Sequence, residues 1–322
     1  MTTLRHRLEG LFLSNAIAWL QRGSLESAFA RTRRLARLSS LLLRSEWHWA
    51  RTNPQLIFGN GLTGEGYSRL AALAVENIFL SHLEGVRVTD IRVRDEGAEH
   101  LLAAHARGRG VVACAVHLGS WEPGLRHVGS TLGLPLATVY RHANNPLAEA
   151  LFTELRQPYG CTWIPRREPR AIVTALLKKQ VLGLMVDINT REGGIVAPFL
   201  GVPALCPAGP ARLAMRFQAP VVPLVCVREA PGEACLKVGE ILEPPEKQAG
   251  EEEEHAFTAR IQEAFTPWIV EYAEQYNWLH GRWRSRPDGR HLTRKDPVEA
   301  LLRERTTPPL PLHPRVRRLL ES

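Results

Sequence analysis

The chain has 322 residues, 44% of them hydrophobic and 23% charged, with a formal net charge of +8. That length can bury a substantial core, as one large domain or one domain with appendages, and the composition is ordinary for a globular protein. The excess of cations favours an anionic partner: membrane phospholipid, nucleic acid or an acidic carrier protein. The five cysteines lack metal-ligand spacing and sit in apolar surroundings, which predicts reduced core thiols in the cytosol. No secretory signal is visible. The apolar stretch from Leu11 to Leu20 is too short to span a bilayer and is interrupted by Ser14 and Asn15.

Residues 1 to 50 read as helical and basic. Leu8, Leu11, Phe12, Ile17, Trp19 and Leu20 make a rough apolar side, and Arg31, Arg33, Arg34, Arg37 and Arg44 are interleaved with Leu35, Leu38, Leu41, Leu42 and Leu43. Arginine-rich helices carrying Trp and Leu suit an anionic membrane surface, where cations meet lipid phosphate. The plain alternative is a solvated helix packed on the domain. Asn53-Pro54 and a glycine-rich turn (Gly59, Gly61, Gly64, Gly66) precede a helix near Tyr67 to Leu83, and a short helix follows over residues 97 to 107.

Val111 to Val116 is then a continuous apolar run, a buried strand that delivers His117, turns through Gly119 and offers Ser120 as the cap of a helix with Glu122 in its first turn. The helix runs to about Leu132 and stops at Gly133. Strand and helix alternate from there: a strand from Pro135 to Arg141, a helix over 146 to 157, a strand from Cys161 to Pro165, a helix over 169 to 180, and a strand from Val181 to Val186 that ends at Asp187. A loop, Asn189-Thr-Arg-Glu-Gly-Gly194, leads into Ile195 to Gly201 and Pro203 to Pro207, then a helix from Ala208 to Phe217. Val221 to Val227 and Ala234 to Ile241 pair as a hairpin. Glu251 to Tyr276 reads as one long helix with an acidic first turn, as the helix dipole favours. A Pro/Arg-rich tail, loosely ordered, closes the chain.

This alternation predicts an α/β sandwich with a mixed, mostly parallel central sheet flanked by helices. Sites in such folds gather at the carboxyl ends of the strands, where His117, Arg141 and Asp187 all fall. A neutral imidazole there can take a proton from a hydroxyl attacking an ester or thioester carbonyl. It needs a carboxylate to fix its tautomer and stabilise the imidazolium, and Glu122 is expected to fold back over the turn to do so. Backbone N–H groups or a nearby Arg can hold the oxyanion. No metal or cofactor is called for. Rival chemistries lack their motifs: there is no His-Glu-x-x-His, Ser120 has no second elbow glycine, and no phosphate-binding or dinucleotide-binding glycine pattern follows the strand.

His117-Leu-Gly-Ser-Trp-Glu122 has the His-x4-Glu spacing of glycerolipid-type acyltransferases. The wider chain resembles one branch, the lauroyl/myristoyl transferase family of late acyltransferases in lipid A biosynthesis. The supporting residues are Asn77-Ile-Phe79, Tyr140-Arg141, Asp187 before Gly193-Gly194, Val196-Ala-Pro-Phe-Leu-Gly201, Val221-Val-Pro223 and Glu274-Gln-Tyr-Asn-Trp-Leu-His-Gly-Arg-Trp283, a match over roughly residues 45 to 287. The resemblance implies a glycerolipid acyltransferase-like fold. It implies transfer of a fatty acyl chain from an acyl carrier protein, or acyl-CoA, to a hydroxyl of a membrane glycolipid, at the cytoplasmic face of the bacterial inner membrane. By match, His117 is the general base and Glu122 its partner. Arg141 is expected at the oxyanion or a phosphate, Asp187 in orienting the site, and Arg166 and Arg191 as further phosphate contacts. Trp278 and Trp283 read as core anchors, with Arg282 able to reach a phosphate.

The chain departs from the family's usual pattern twice. The N-terminal segment is short and polar-interrupted where the family usually begins with a spanning helix, which points to peripheral or monotopic attachment. Ile188-Asn189 follows Asp187 where Gln is usual, so the acceptor stays open. The expected organisation is a membrane-associating segment over 1–45, an acyltransferase domain over 46–287 and a tail over 288–322. The rival readings are a relative acylating another lipid, such as a phosphoinositide mannoside or aminolipid, and a catalytically silent lipid-binding protein. The cations are dispersed and form no recognised nucleic-acid-binding motif.

Overall fold

A computed structural model of the chain describes residues 3–41, 43–190, 193–246, 249–293, 296 and 307–321. Four helices lead: α1 (Leu4–Gln21), α2 (Leu25–Leu38), α3 (Arg44–Phe58) and α4 (Gly64–Val86). Asn53 and Pro54 lie inside α3 rather than in a turn before α4. Thr63 caps α4 by accepting from the Gly66 N–H at 3.1 Å, with Glu65 in the first turn.

The rest of the chain alternates much as the sequence predicts. The order is β1 (Arg92–Glu96), α5 (Ala98–Ala106), β2 (Val111–Gly119), α6 (Trp121–Arg126), β3 (Leu136–Tyr140), α7 (Pro146–Leu155), β4 (Cys161–Pro165), α8 (Pro169–Leu177) and β5 (Val181–Met185). A hairpin of β6 (Gly194–Phe199) and β7 (Val202–Pro207) follows, then α9 (Gly209–Phe217), β8 (Val221–Ala230), β9 (Glu233–Val238), α10 (Glu251–Glu263) and α11 (Thr266–Glu271). Near the C-terminus lies α12 (Pro314–Glu321).

The main sheet has seven strands in the order β1-β9-β8-β2-β5-β3-β4. The block β8-β2-β5-β3-β4 is parallel throughout; β9 runs antiparallel to β8, and β1 runs parallel to β9. The sheet is therefore mixed and mostly parallel, with helices on both faces. β2 lies centrally between β8 and β5. Val112, Cys114, Val116 and Leu118 enter one core with residues of α3, α4, α9 and α10, whereas Val111 and Ala113 enter a second with Leu101 and Ala104 of α5. A strand buried on both faces must be apolar at every position, so Val111 to Val116 shows no alternation.

Three elements differ from the sequence reading. β1 is a mostly exposed edge strand, Arg92-Val-Arg-Asp-Glu96, whose charged side chains conceal it; Arg94 pairs with Glu96 and Glu229. The long helix expected from Glu251 to Tyr276 breaks into α10, α11 and a 3-10 turn at Ala273–Gln275, with Pro267 starting the second piece. The tail also docks. Val316 and Leu320 of α12 are buried, Arg69 of α4 donates to the Leu320 carbonyl at 2.8 Å, and the Leu310 N–H donates to the Ile57 carbonyl at 3.0 Å.

Candidate active site

The strand register assembles the site. β2 and β5 pair in parallel with Ala115 opposite Met185, and the Val186 N–H extends the ladder to the Ala115 carbonyl at 2.9 Å. Two residues on, His117 and Asp187 therefore stand side by side. The His117 imidazole Nδ1 donates to Asp187 Oδ1 at 2.9 Å, and the His117 backbone N–H donates to Oδ2, also at 2.9 Å. An ionised carboxylate only accepts, so the ring proton sits on Nδ1 and the lone pair on Nε2. The His117 side chain keeps 29% of its surface exposed, whereas Asp187 keeps 3%. Burial opposes the charge on His117, but the Asp187 charge and hydrogen bond, with a smaller push from Glu122, raise its pKa above the ordinary value. Burial likewise opposes the Asp187 charge, and the same pairing overrides it and lowers that pKa.

The carboxylate bonded to His117 is thus that of Asp187, not that of Glu122 as the sequence reading had it. Glu122 Oε2 instead accepts from the Tyr159 hydroxyl at 2.7 Å, and that hydroxyl also reaches the Gly85 carbonyl at 3.2 Å. Space explains the difference. The Glu122 carboxylate fills the notch that the missing Cβ of Gly85 leaves on α4, and a side chain there would overlap it. Helix α6 carries Glu122 toward α4, whereas the strand ladder carries Asp187 toward His117.

Ser120 is also placed differently. It occupies the N-cap position of α6, but its side chain makes no capping bond. Its Oγ is buried and has no hydrogen-bond partner among the described residues, while its N–H donates to the Cys226 carbonyl at 2.7 Å. Gly119, at φ +61°, makes that approach possible, because a Cβ there would overlap the same carbonyl.

The segment after α11 closes the back of the site. Asn277 N–H donates to the His117 carbonyl at 3.0 Å, and Leu118 bridges Tyr276. The Tyr276 hydroxyl is deeply buried beside Asp187; burial and that neighbouring charge push its pKa well above the ordinary phenol value. His280 Nε2 accepts from the Asn189 N–H at 2.9 Å, which makes it a neutral imidazole, and burial lowers its pKa. From α4, Asn77 donates to the Gln275 carbonyl at 2.5 Å and Ser81 to the Gly119 carbonyl at 2.6 Å. Arg228 binds Glu84 side-on, through Nε at 2.5 Å and Nη2 at 2.6 Å, while its Nη1 donates to Asn77 Oδ1 at 2.6 Å. Trp121 stands edge-on to His117, with ring centroids 5.3 Å apart.

Arg141 follows β3 and Arg166 follows β4, and the Arg166 N–H donates to the Tyr140 carbonyl at 2.9 Å. The strand order sets His117, Asp187, Arg141 and Arg166 in a row along one edge of the sheet. Both arginines are exposed. Arg191 lies outside the described residues. Arg282, expected to reach a phosphate, is instead 1% exposed. Its guanidinium lies 4.8 Å from the Phe199 ring centroid and donates to the Leu205 carbonyl and to Cys206, so it joins the β6–β7 hairpin to the core. Trp278 and Trp283 are buried, as core anchors should be. Tyr159 and His280 were missed as neighbours of the site because neither lies at the end of a strand. Asp187 at a strand end was the available signal.

A lipid A biosynthesis palmitoleoyltransferase of Escherichia coli (strain K12) is 30% identical over 206 residues, 62% of this chain and 65% of that protein. A lipid A biosynthesis lauroyltransferase of the same strain is 29% identical over 60% of this chain and 62% of its own length. A phosphatidylinositol mannoside acyltransferase of Mycolicibacterium smegmatis is 26% identical over 58% and 60%. The alignments thus span less than two thirds of these relatives. A solved 1-acyl-sn-glycerophosphate acyltransferase from Thermotoga maritima aligns with a TM-score of 0.34 and 15% identity, over 72% of this chain and 97% of its own, too loose a match to bear on the argument. The sequence model of bacterial lipid A biosynthesis acyltransferases, by contrast, matches residues 7–285. On that match, the chain belongs to the bacterial lipid A biosynthesis acyltransferase family.

Proposed function

We propose that the protein is an O-acyltransferase. It moves a fatty acyl chain from an acyl carrier protein thioester, or acyl-CoA, to a hydroxyl of a lipid A precursor or related membrane glycolipid. The observation that carries this reading is the His117–Asp187 pair, which fixes the tautomer and leaves the basic Nε2 for a substrate. His117 takes the proton of the acceptor hydroxyl as its oxygen attacks the thioester carbonyl. The carbon–sulfur bond then breaks, and the imidazolium returns the proton to the departing thiolate. Asp187 stabilises the imidazolium between the two steps. Glu122, held by Tyr159, adds a weaker negative field at the same ring. Arg141 and Arg166 are the proposed contacts for the oxyanion and the acceptor's phosphates.

The reading includes attachment to the cytoplasmic face of the inner membrane from one side. No helix among the described residues is long and apolar enough to cross a membrane. The exposed Leu4, Leu8, Leu11 and Phe12 of α1, with Arg5 and Arg7 on the same helix and the exposed Arg34 and Arg37 on α2, support docking on an anionic lipid surface. Purified protein given acyl carrier protein thioesters and a panel of acceptors (phosphorylated diglucosamine lipids, phosphoinositide mannosides, aminolipids) tests it. His117→Ala should lose roughly 10²- to 10⁴-fold in turnover, the usual worth of a positioned base. Equal turnover in that variant overturns the assigned base, and no turnover with any acceptor favours a lipid-binding protein without activity.

A further inference from the structure

Helix α1 is mounted on the protein by few contacts. Gly10 is its sole buried residue, and it packs against Leu147 of α7, whose Cβ would lie 3.0 Å from any Cβ placed at Gly10. Toward its C-terminus, Arg31 of α2 donates to the Trp19 carbonyl at 3.3 Å and the Arg22 carbonyl at 2.6 Å. Toward its N-terminus, the tie is Asn145. The Asn145 amide nitrogen donates to the His6 carbonyl at 2.9 Å and to Glu9 Oε2 at 3.2 Å, while its oxygen caps α7 by accepting from the Leu147 N–H at 3.0 Å.

The opposite side of α1 is apolar and uncovered from Leu4 to Phe12, and the exposed Asn15 ends the stripe. Leu4, Leu8, Leu11 and Phe12 are 61% to 76% exposed. His6, Gly10 and Leu13 repeat the spacing of Leu4, Leu8 and Leu11 two residues on, about 200° round the helix at 100° per residue. One side of α1 thus grips Asn145 while the other presents a leucine stripe flanked by Arg5 and Arg7. The exposed Arg34, Leu35, Arg37 and Leu38 of α2 carry the same mixture, the pattern of an anionic bilayer contact.

Asn145 also ends the loop that begins at Arg141. The loop is braced from α7: Glu149 accepts from the Tyr140 hydroxyl at 2.8 Å and from the Ala143 N–H at 2.7 Å. We propose that Asn145 is a positioning residue that latches the lipid-facing helix α1 to the loop carrying Arg141, so that docking on an anionic bilayer orders that loop. The inference rests on the membrane docking proposed above and deepens it: the surface that meets the bilayer and the loop carrying the cation offered to the acceptor meet at this side-chain amide, beside the Gly10–Leu147 packing.

Asn145→Asp separates the two jobs of this side chain. The carboxylate still caps α7, and more strongly because it is an anion at a helix N-terminus, but it has no proton for His6 or Glu9. The experiment is hydrogen exchange at residues 141–145 and 147, with and without phosphatidylglycerol/phosphatidylethanolamine vesicles, alongside vesicle flotation. In the wild type, vesicles should slow exchange there by roughly tenfold, as expected for a local opening made about tenfold rarer. Asn145→Asp should float equally well and show less than about twofold slowing. Leu8→Ser with Phe12→Ser should lose both flotation and slowing. Full slowing in Asn145→Asp, flotation without slowing in the wild type, or undiminished flotation of the double variant overturns the latch. No acyl transfer is measured, so failure here is distinguishable from failure of the proposed chemistry.

Discussion

Asp187→Asn keeps the shape of the side chain and removes its charge. The native carboxylate accepts two hydrogen bonds, from His117 Nδ1 and from the His117 N–H, both at 2.9 Å. A carboxamide has one accepting oxygen. If that oxygen faces the backbone, the amide nitrogen faces Nδ1 and forces the proton onto Nε2, the atom proposed above to act as base. If it faces Nδ1, the backbone N–H is left against a second donor. Either way the imidazolium formed during transfer loses its counter-charge. Unit charges at that distance attract by roughly 6 kcal/mol at an effective dielectric near 20. Breaking a buried pair from one side costs about 3–5 kcal/mol once desolvation is counted, or two to four orders of magnitude in rate. Glu122→Gln retains an acceptor for Tyr159 and removes only the weaker field, so a drop of at most about tenfold is expected, well short of the loss in Asp187→Asn. The assay is thiol release from an acyl carrier protein thioester in the presence of lipid acceptor, followed across pH. In the wild type, kcat/KM should fall on acidification through a pKa above 6.5, because His117 must be neutral to act and its pKa is raised. Asp187→Asn should move that limb to lower pH, since burial then acts without the opposing charge. Tolerance of Asp187→Asn together with loss of activity in Glu122→Gln would refute the reasoning.

Two further substitutions probe the turn. Ser120→Ala removes a buried hydroxyl that bonds to no group among the described residues, so turnover should persist and the melting temperature should change little, within about 1 kcal/mol of stability; abolished turnover would make Ser120 a participant. Gly119→Ala should destabilise the fold by roughly 2–4 kcal/mol in denaturant melts, because the left-handed backbone and the overlap with the Cys226 carbonyl both oppose a Cβ. Near-native stability in that variant would show that the turn relaxes easily.

Much of the fold was legible because its central strands are buried on both faces and bracketed by turn residues. Val111 to Val116 and Val181 to Val186 needed no partner to be recognised, and their ends delivered His117 and Asp187. What stayed hidden was lateral. That Met185 sits opposite Ala115 is a matter of register, and register alone decides that Asp187, seventy residues away, rather than Glu122 on the next turn, bonds the imidazole. Nearness along the chain misled because α6 points Glu122 into the notch at Gly85. β1 was masked by its charges, which suit an edge. Arg282 was misplaced because an arginine reads as exposed unless its cavity is known, and that cavity is built from Phe199, Leu205 and Cys206.

The bonds from residues 276 and 277 to β2 carry a consequence for biosynthesis. The imidazole emerges early in translation, yet the backbone that carries it is secured by Asn277 and Tyr276, and Asn53 near the start holds the Trp278 and His280 carbonyls at 2.8 and 2.9 Å. Contacts of such long sequence separation close last. A nascent chain that stops short of Tyr276 would carry His117 and Asp187 without the strap that holds them in line. If His117 is the base proposed above, transfer waits until Tyr276 and Asn277 have been made and have paired with β2.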